Sequence, residues 1–520
     1  MKYDEFYKLC EKVYEPITNF EKSCLPLCAA ENEQSEFTKI PLKSFIQDKY
    51  IMGGIEEYQE HNNFIGSNNL FELYNLLNRL SSELFKSMYA DGRTLTGVNT
   101  ISLLLMSLFK NNDKILISDE ECGGHSSMPK LCKRLGIKTC SMPYDYNNYD
   151  FDYEKLNTLL LDDSIKGILI CQSDMIFQPK LEKIKMDKNK ILIYDATQVL
   201  GLIASKKIRN YLEFFDSSYQ FIMAGSTHKT LPGPTNGLIL TNSSDIINKI
   251  DLKINPDYLR NVQLHQIMSL IFTLEEFSIF GKEYCEHMVK VANMLGKLLE
   301  EKGFNIVKKD KIYTETHQIF ILMDSKIVDK FIMRCQVYKI TLNARKKQIY
   351  NGSGIRIGTQ LIARYGWNYD ELKIISEVLY KVYLECIDEN TNYSNYIISE
   401  VKNLSKRNVP NTHFFFYWTK LLLSVILNKN EAGRSGKMIH IYKNYEGHKE
   451  LEELDHSELE SWVMITDPTM EELMNISRDY KIDMDDLKAA LDTEERSRLE
   501  NEDDYTMILV NIPVVEEEEG

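Results

Sequence analysis

The residues of this chain best suited to covalent chemistry lie in Ser226-Thr227-His228-Lys229-Thr230-Leu231-Pro232-Gly233-Pro234. Here a lysine stands between two apolar runs, 219–223 and 237–240, ringed by hydroxyls, an imidazole and glycines. Such neighbours fix an amine, strip part of its water and admit a flat ring. An imine-forming lysine needs that, and a solvated one does not. Taken alone, the window also fits a plain strand-turn-strand connection. Thr96-Gly97-Val98 opens a second helical pattern after a polar turn, where free N–H groups and the helix dipole suit an anion. Ordinary N-capping by Thr96 or Asn99 explains the same residues. His125 follows Gly123-Gly124, Asp195 ends the run Ile191-Leu192-Ile193-Tyr194, and Arg356 lies inside Gly354-Ile355-Arg356-Ile357-Gly358. An arginine fork suits a carboxylate; a strand-edge surface arginine is the alternative.

The elements that must position these residues follow from periodicity. Apolar runs at 114–117, 137–142, 167–171, 190–195 and 219–223 alternate with helical patterns, which predicts a mostly parallel sheet covered on both faces. Ligands of such sheets lie beyond the carboxyl ends of the strands, so Thr96, His125, Asp195 and Lys229 are expected to share one pocket. Long helices are predicted over 264–280 and 285–302, then a smaller α/β domain closed by a helix over 369–387. The stretch 391–437, polar apart from the run 414–427, reads as a linker.

Composition narrows the class. The chain has 520 residues, too many for one ordinary domain, and its 43% hydrophobic and 27% charged content is that of a globular protein. A net charge of −15 with no basic block argues against nucleic acid. Ten scattered cysteines and an N-terminus unlike a signal peptide point to reduced thiols and a cytoplasmic location. The strongest apolar run, 414–427, contains Lys420 and falls short of the roughly 20 residues a membrane span needs, so no span is expected. His440, His448 and His456 recur at a spacing that suits neither helix nor strand ligation, and no metal is assigned.

The motifs together resemble the serine hydroxymethyltransferase family of pyridoxal 5′-phosphate (PLP) enzymes over residues 1 to about 390. The lysine window carries the resemblance. Gly123-Gly124-His125, Tyr194-Asp195-Ala196 and Ser353 to Thr359 support it, and Ala29-Ala30-Glu31-Asn32 and Lys49-Tyr50 do so more weakly. The resemblance implies an α/β fold of type I: a mostly parallel seven-stranded sheet sandwiched by helices, a smaller α/β domain, and here a small α/β appendage. It divides the chain into an N-terminal arm (1–55), a PLP-binding large domain (56–280), a small domain (281–390), the linker (391–437) and the appendage (438–520). It implies that Lys229 holds PLP as a Schiff base, Asp195 pairs with the pyridine nitrogen and His125 stacks on the ring. Thr96, Gly97, Val98, Gln198, Ser226 and His228 belong to the cofactor site, while Arg356 grips the substrate carboxylate. Tyr50 reaches into a partner's site across a homodimer. Buried Asp195 should have a cationic partner.

Several family positions differ. The glutamate that handles the hydroxymethyl proton is replaced in Ile51-Met52-Gly53, with Glu56 and Glu57 the nearest carboxylates. The histidine three residues past the aspartate is Gln198, a serine of the arm is Ala30, the phosphate-loop serine is Val98, and a Tyr-Tyr-Gly-Gly segment reads Asn63-Phe64-Ile65-Gly66. The expected function is therefore PLP-dependent aldol-type cleavage or transfer on a small amino acid such as serine, glycine or threonine, without standard folate dependence. Transaldolation, β-elimination and transamination are the enzymatic alternatives. Residues 438–520 resemble the start of the cytoplasmic domain of CorA-type magnesium transporters, through Trp462-Val463-Met464-Ile465-Thr466-Asp467-Pro468 and Glu494-Glu495-Arg496-Ser497-Arg498. A degenerate PLP domain tethered to such a magnesium-sensing module is the non-enzymatic alternative.

Overall fold

The computed structural model describes residues 3–51, 70–409, 439–443, 452–454, 461–465, 470–480, 482–489, 498–501 and 506–509. The chain divides into two units, Met1–Thr419 and Lys420–Gly520.

In the first unit seven strands form the main sheet: β1 (Tyr89–Asp91), β2 (Lys114–Ile117), β3 (Lys138–Ser141), β4 (Ile165–Cys171), β5 (Ile191–Asp195), β6 (Gln220–Ser226) and β7 (Gly237–Thr241). Their order is β1-β7-β6-β5-β4-β2-β3. Strands β3, β2, β4, β5 and β6 run parallel, and β7 is antiparallel to β6 and β1. The sheet has the strand count and mostly parallel character expected from the sequence. Its continuous apolar strands are buried on both faces. Leu116, Ile168, Ile170 and Leu192 enter one core, while Ile117, Leu169, Ile193 and Ile222 enter another, as the two-residue strand period requires.

The helices that matter for the site are α1 (Tyr3–Glu21), α2 (Glu72–Phe85), α3 (Gly97–Leu108), α4 (Leu264–Glu301), α5 (Ser325–Val337), α6 (Tyr369–Ile387) and α7 (Ser394–Ser405). The pattern predicts two helices over 264–302, but α4 is one helix of 38 residues. Gly281 costs its interior roughly 1 kcal/mol relative to alanine. Burial of the apolar face outweighs that. Leu270, Leu274 and Met288 pack in the large core, and Val291, Leu295 and Leu299 in the small one. Phe277 also folds across Gly281, where a Cβ would lie 2.4 Å from Phe277 Cδ1. The domain boundary read at 280/281 thus falls inside a continuous helix, and the two cores meet on it near residue 290.

The smaller sheet contains β8 (Asn305–Ile306), β9 (Gln318–Leu322), β10 (Asn343–Arg345) and β11 (Gly354–Gly358), ordered β8-β9-β11-β10 and antiparallel throughout. Part of the N-terminal arm joins this side: Leu25–Pro26 pairs parallel with Ile340–Thr341, and Leu25 and Leu27 are buried in the small core. A capping box between Asn368 and Glu371 starts α6. The segment read as linker carries α7, whose Ile397, Val401 and Leu404 share one face and pack into the small core. The apolar run 414–427 lies outside the described residues. No helix among the described residues is long and apolar enough to cross a membrane.

In the second unit Ile439–Lys443 is the centre of an antiparallel sheet, flanked by Glu452–Leu454 and Ser461–Ile465. Helices Met470–Tyr480 and Met484–Ala489 follow, then a strand pair, Arg498–Asn501 with Thr506–Leu509.

Candidate active site

Lys229 lies three residues beyond β6, in a loop that is tied at both ends. Thr227 N–H donates to Asn236 O at 3.1 Å and Gly233 N–H to Thr227 O at 2.8 Å, while the Thr227 hydroxyl donates to Pro234 O at 2.6 Å. These bonds fold the Pro-Gly-Pro tail back on the strand end. The arm reaches the same loop: Asn32 Nδ2 donates to Lys229 O and, at 2.9 Å, to Tyr284 OH on α4. The weak arm motif therefore fixes the backbone of the lysine. Burial lowers the Lys229 amine to about 8, and the Arg356 charge pushes the same way against Asp195 and Cys171. Relative to an ordinary lysine, the neutral fraction at pH 7 rises by roughly 300-fold.

Asp195 ends β5 and is 8% exposed. Its Oδ1 accepts from Thr197 N–H at 2.9 Å, and its Oδ2 accepts from the Cys171 thiol at 2.9 Å. Burial, with Asp195 next, raises the Cys171 thiol well above its ordinary range, so it remains a donor. The hydrogen-bond partners of Asp195 are thus neutral rather than the cation expected there, and Asp195 acts through space on the Lys229 amine. His125 N–H donates to Cys171 O at 2.9 Å, holding the imidazole at the end of β4. Its Nδ1 accepts from Ser127 N–H at 3.2 Å, so Nε2 carries the proton. Burial lowers the His125 pKa. The turn before it requires glycine: Gly123 has φ +92°, and a Cβ there would lie 2.4 Å from Asp174 O.

The start of α3 faces the same loop. Thr96 caps the helix, its hydroxyl accepting from Asn99 N–H at 3.3 Å, and Gly97 N–H donates to Ser226 Oγ at 3.0 Å. A Cβ on Gly97 would lie 2.3 Å from Ser226 Oγ. Ser226 N–H in turn donates to Thr197 Oγ1 at 2.8 Å. The cap is therefore present, and the N–H groups of Gly97 and Asn99 are taken by hydroxyl oxygens of the protein itself. Val98 is exposed beside them. His228 Nδ1 is buried with no hydrogen-bond partner among the described residues, and burial, then Lys229, lowers its imidazole to about 4.

Two predicted residues are placed differently from this group. Gln198 is buried, with Oε1 accepting from Gln318 Nε2 at 2.9 Å. Tyr50 is 41% exposed on this chain. Met52, Glu56, Glu57 and residues 63–66 lie outside the described residues.

Arg356, on β11, is held by a carboxylate that the sequence reading missed. Its NH1 donates to Ser173 O at 2.7 Å and Asp174 Oδ1 at 3.2 Å, and its NH2 donates to Asn343 Oδ1 at 3.0 Å. Its Nε is buried with no partner among the described residues. Asp174 is fully buried and also accepts from Arg345 Nε at 2.8 Å, Lys347 Nζ at 2.9 Å and Tyr350 OH at 3.1 Å. Burial would raise the Asp174 carboxyl, but Arg356, Lys347 and Arg345 outweigh it and hold it at about 2. The available signal was a carboxylate three residues past the end of an apolar strand, where a helix cap is the ordinary reading.

The family model described as serine hydroxymethyltransferase matches residues 10–379. The serine hydroxymethyltransferase of Thermoplasma volcanium is 30% identical over 370 residues, covering 68% of this chain and 84% of that protein. That of Staphylothermus marinus is 26% identical over 397 residues, covering 73% of this chain and 88% of that protein. The crystal structure of L-threonine transaldolase from Pseudomonas fluorescens in its internal aldimine state superposes with a TM-score of 0.72 at 19% identity, over 83% of this chain and 98% of that chain. The shared fold is that of fold-type I PLP-dependent enzymes. The family model's match lies within the first unit, and on its extent the chain belongs to the serine hydroxymethyltransferase family.

Proposed function

We propose that Lys229 attaches PLP through its amine and that the enzyme cleaves or forms a bond at the α-carbon of a small amino acid. The observation that carries this reading is the lowered Lys229 amine among Asp195, His125 and the start of α3. The residues fit the cofactor: Gly97, having no side chain, lets the start of α3 approach Ser226 closely, and His228 Nδ1, buried with no partner among the described residues, can donate to a phosphate oxygen as its N–H tautomer. When bound, PLP supplies an electron sink next to the substrate's α-carbon. Asp195 would hold a proton on the pyridine nitrogen, sharpened by its two neutral donors. His125 would cover one ring face. Thr96, Gly97, Val98, Ser226 and His228 would seat the phosphate, and the open Nε edge of Arg356 would take the α-carboxylate. Lys229 would also serve as a base for the α-proton.

A second reading, transfer to an acceptor other than folate, is favoured by two replacements. Met52 stands where the family's proton-handling glutamate does, and methionine transfers no proton. Gln198 replaces a histidine, and its amide oxygen accepts from Gln318 Nε2. A homodimer that covers exposed Tyr50, a cytoplasmic location and a CorA-like accessory role for residues 438–520 complete the reading. The test is spectroscopic. Purified protein mixed with PLP should develop a visible absorbance that Lys229→Ala abolishes, with kcat falling on the order of 10³-fold or more. A wild type that stays colourless overturns the proposal. Products from L-serine and L-threonine, with and without tetrahydrofolate, separate the two readings. Folate-dependent glycine formation from serine would reject the second.

A further inference from the structure

We infer that the amino-acid substrate is a β-hydroxy amino acid whose side chain ends in a second anionic group, received by Arg345 and Lys347. The inference rests on the PLP reading of the site and deepens it. Arg345, Lys347 and Arg356 converge on the one carboxylate of Asp174. Three cations thus face one anion. A substrate α-carboxylate on Arg356 would compensate a second charge, and the third would stay uncompensated in a partly desolvated place. Burying an unpaired charge is costly, so a site built this way is matched to a ligand with two negative groups.

The geometry separates the two anion positions. Arg356 is the inner cation, with its side chain 4% exposed, and its buried Nε lacks an acceptor. Lys347 and Arg345 are outer, with side chains 12% and 24% exposed. Lys347 Nζ also donates to Gly124 O at 3.1 Å, the residue before His125, so its charge lies beside the group proposed to cover the cofactor ring. Arg345 spends Nε on Asp174 and NH1 on Ala344 O at 3.3 Å, which leaves its NH2 for a ligand. Glu121, in the turn 120–122, accepts from Gln348 N–H at 2.7 Å rather than pairing with either cation. A neutral side chain such as that of serine or threonine leaves this outer pair unused. A side chain ending in carboxylate fills it.

Cleavage of 3-hydroxyaspartate illustrates the chemistry. The Cα–Cβ bond breaks, the β-hydroxyl loses its proton as Cβ becomes the aldehyde of glyoxylate, and Cα keeps the electron pair and takes up one proton to give glycine. No oxidant or reductant is needed, and in reverse the same anion enters on the acceptor.

The full-length protein loaded with PLP is titrated with L-threonine and with 3-hydroxyaspartate, which differ by methyl against carboxylate, and the visible cofactor absorbance reports binding. The expected result is about tenfold or greater preference for 3-hydroxyaspartate, the scale of one charge-assisted pair. Arg345→Gln should erase most of that preference, and Arg345→Lys should restore part of it, which a folding defect would not do. Lys347→Gln should act in the same direction. Equal affinity for the two compounds, or a preference that survives both Gln substitutions, overturns the inference alone. A wild type with no visible band overturns the PLP reading and this inference with it.

Discussion

The two sides of the candidate site use opposite electrostatic strategies. On the strand-end side, Asp195 is satisfied by a thiol and a backbone N–H, and the Lys229 amine is lowered mainly by burial. On the small-sheet side, Asp174 is surrounded by three cations and a phenol, and charge rather than burial sets its state. The first arrangement brings the Lys229 amine toward working pH so that a proton or a covalent bond can be exchanged. The second keeps charges fixed so that a ligand can be oriented. Reactive groups need pKa values near working pH, whereas clamping groups need charges that never titrate.

The comparison breaks most visibly at Asp174. Asp174→Asn leaves three cations without their anion, and loss of one partner from a buried charged cluster costs about 3–5 kcal/mol. Chemical denaturation should show that loss, and it should depend on pH in a defined way. The Asp174 carboxyl is depressed to about 2, so its contribution is complete above the ordinary carboxylate range near pH 4 and disappears as pH falls through about 2. Wild type and variant should converge in acid. A denaturation midpoint unchanged at pH 7 would show that the cations are held by other means.

A smaller effect is expected on the strand-end side, where shape matters more than charge. Gly97→Ala places a Cβ 2.3 Å from Ser226 Oγ and displaces the Gly97 N–H to Ser226 bond at the start of α3. Overpacking of this kind costs about 1–3 kcal/mol. It should weaken PLP retention on gel filtration more than it lowers thermal stability. The reverse ranking would make Gly97 a packing residue only.

The two sides also differ in how far the sequence disclosed them. Lys229, Asp195 and His125 each lie at or beyond the end of an apolar strand, so the rule that ligands lie beyond strand ends singles them out in the sequence as candidates. Arg356 was legible as a fork inside a strand, but Asp174 was not, because a carboxylate after a strand is more often a cap. Arg345-Lys346-Lys347 looks like a solvated basic run until the folded chain brings it to Asp174 across more than 170 residues, as the separation of 171 between Arg345 and Asp174 shows. The sheet was readable from its continuous apolar runs. The unbroken α4 was not, since Gly281 weakens the helical pattern locally and only two adjoining cores explain why the helix continues. Helix α7 was hidden for a similar reason: Ile397, Val401 and Leu404 mark a helix face only when a core receives them.

The finest test addresses the point where the two strategies meet, the Lys229 amine. Arg356 lowers its pKa from the clamping side, and Asp195 raises it from the strand-end side. Attack on the cofactor's carbonyl requires the neutral amine, so the rate of PLP loading should rise with pH through about 8 and level off above it. Arg356→Met removes a positive neighbour and should move that midpoint up. Asp195→Asn removes a negative one and should move it down. Shifts on the order of half a unit are expected in each direction, since burial, the larger cause, is unchanged. Stopped-flow absorbance across pH 6–10 resolves them. Midpoints that move the same way in both variants would mean that repacking governs the amine, and the division between a neutral side and a charged side would no longer hold.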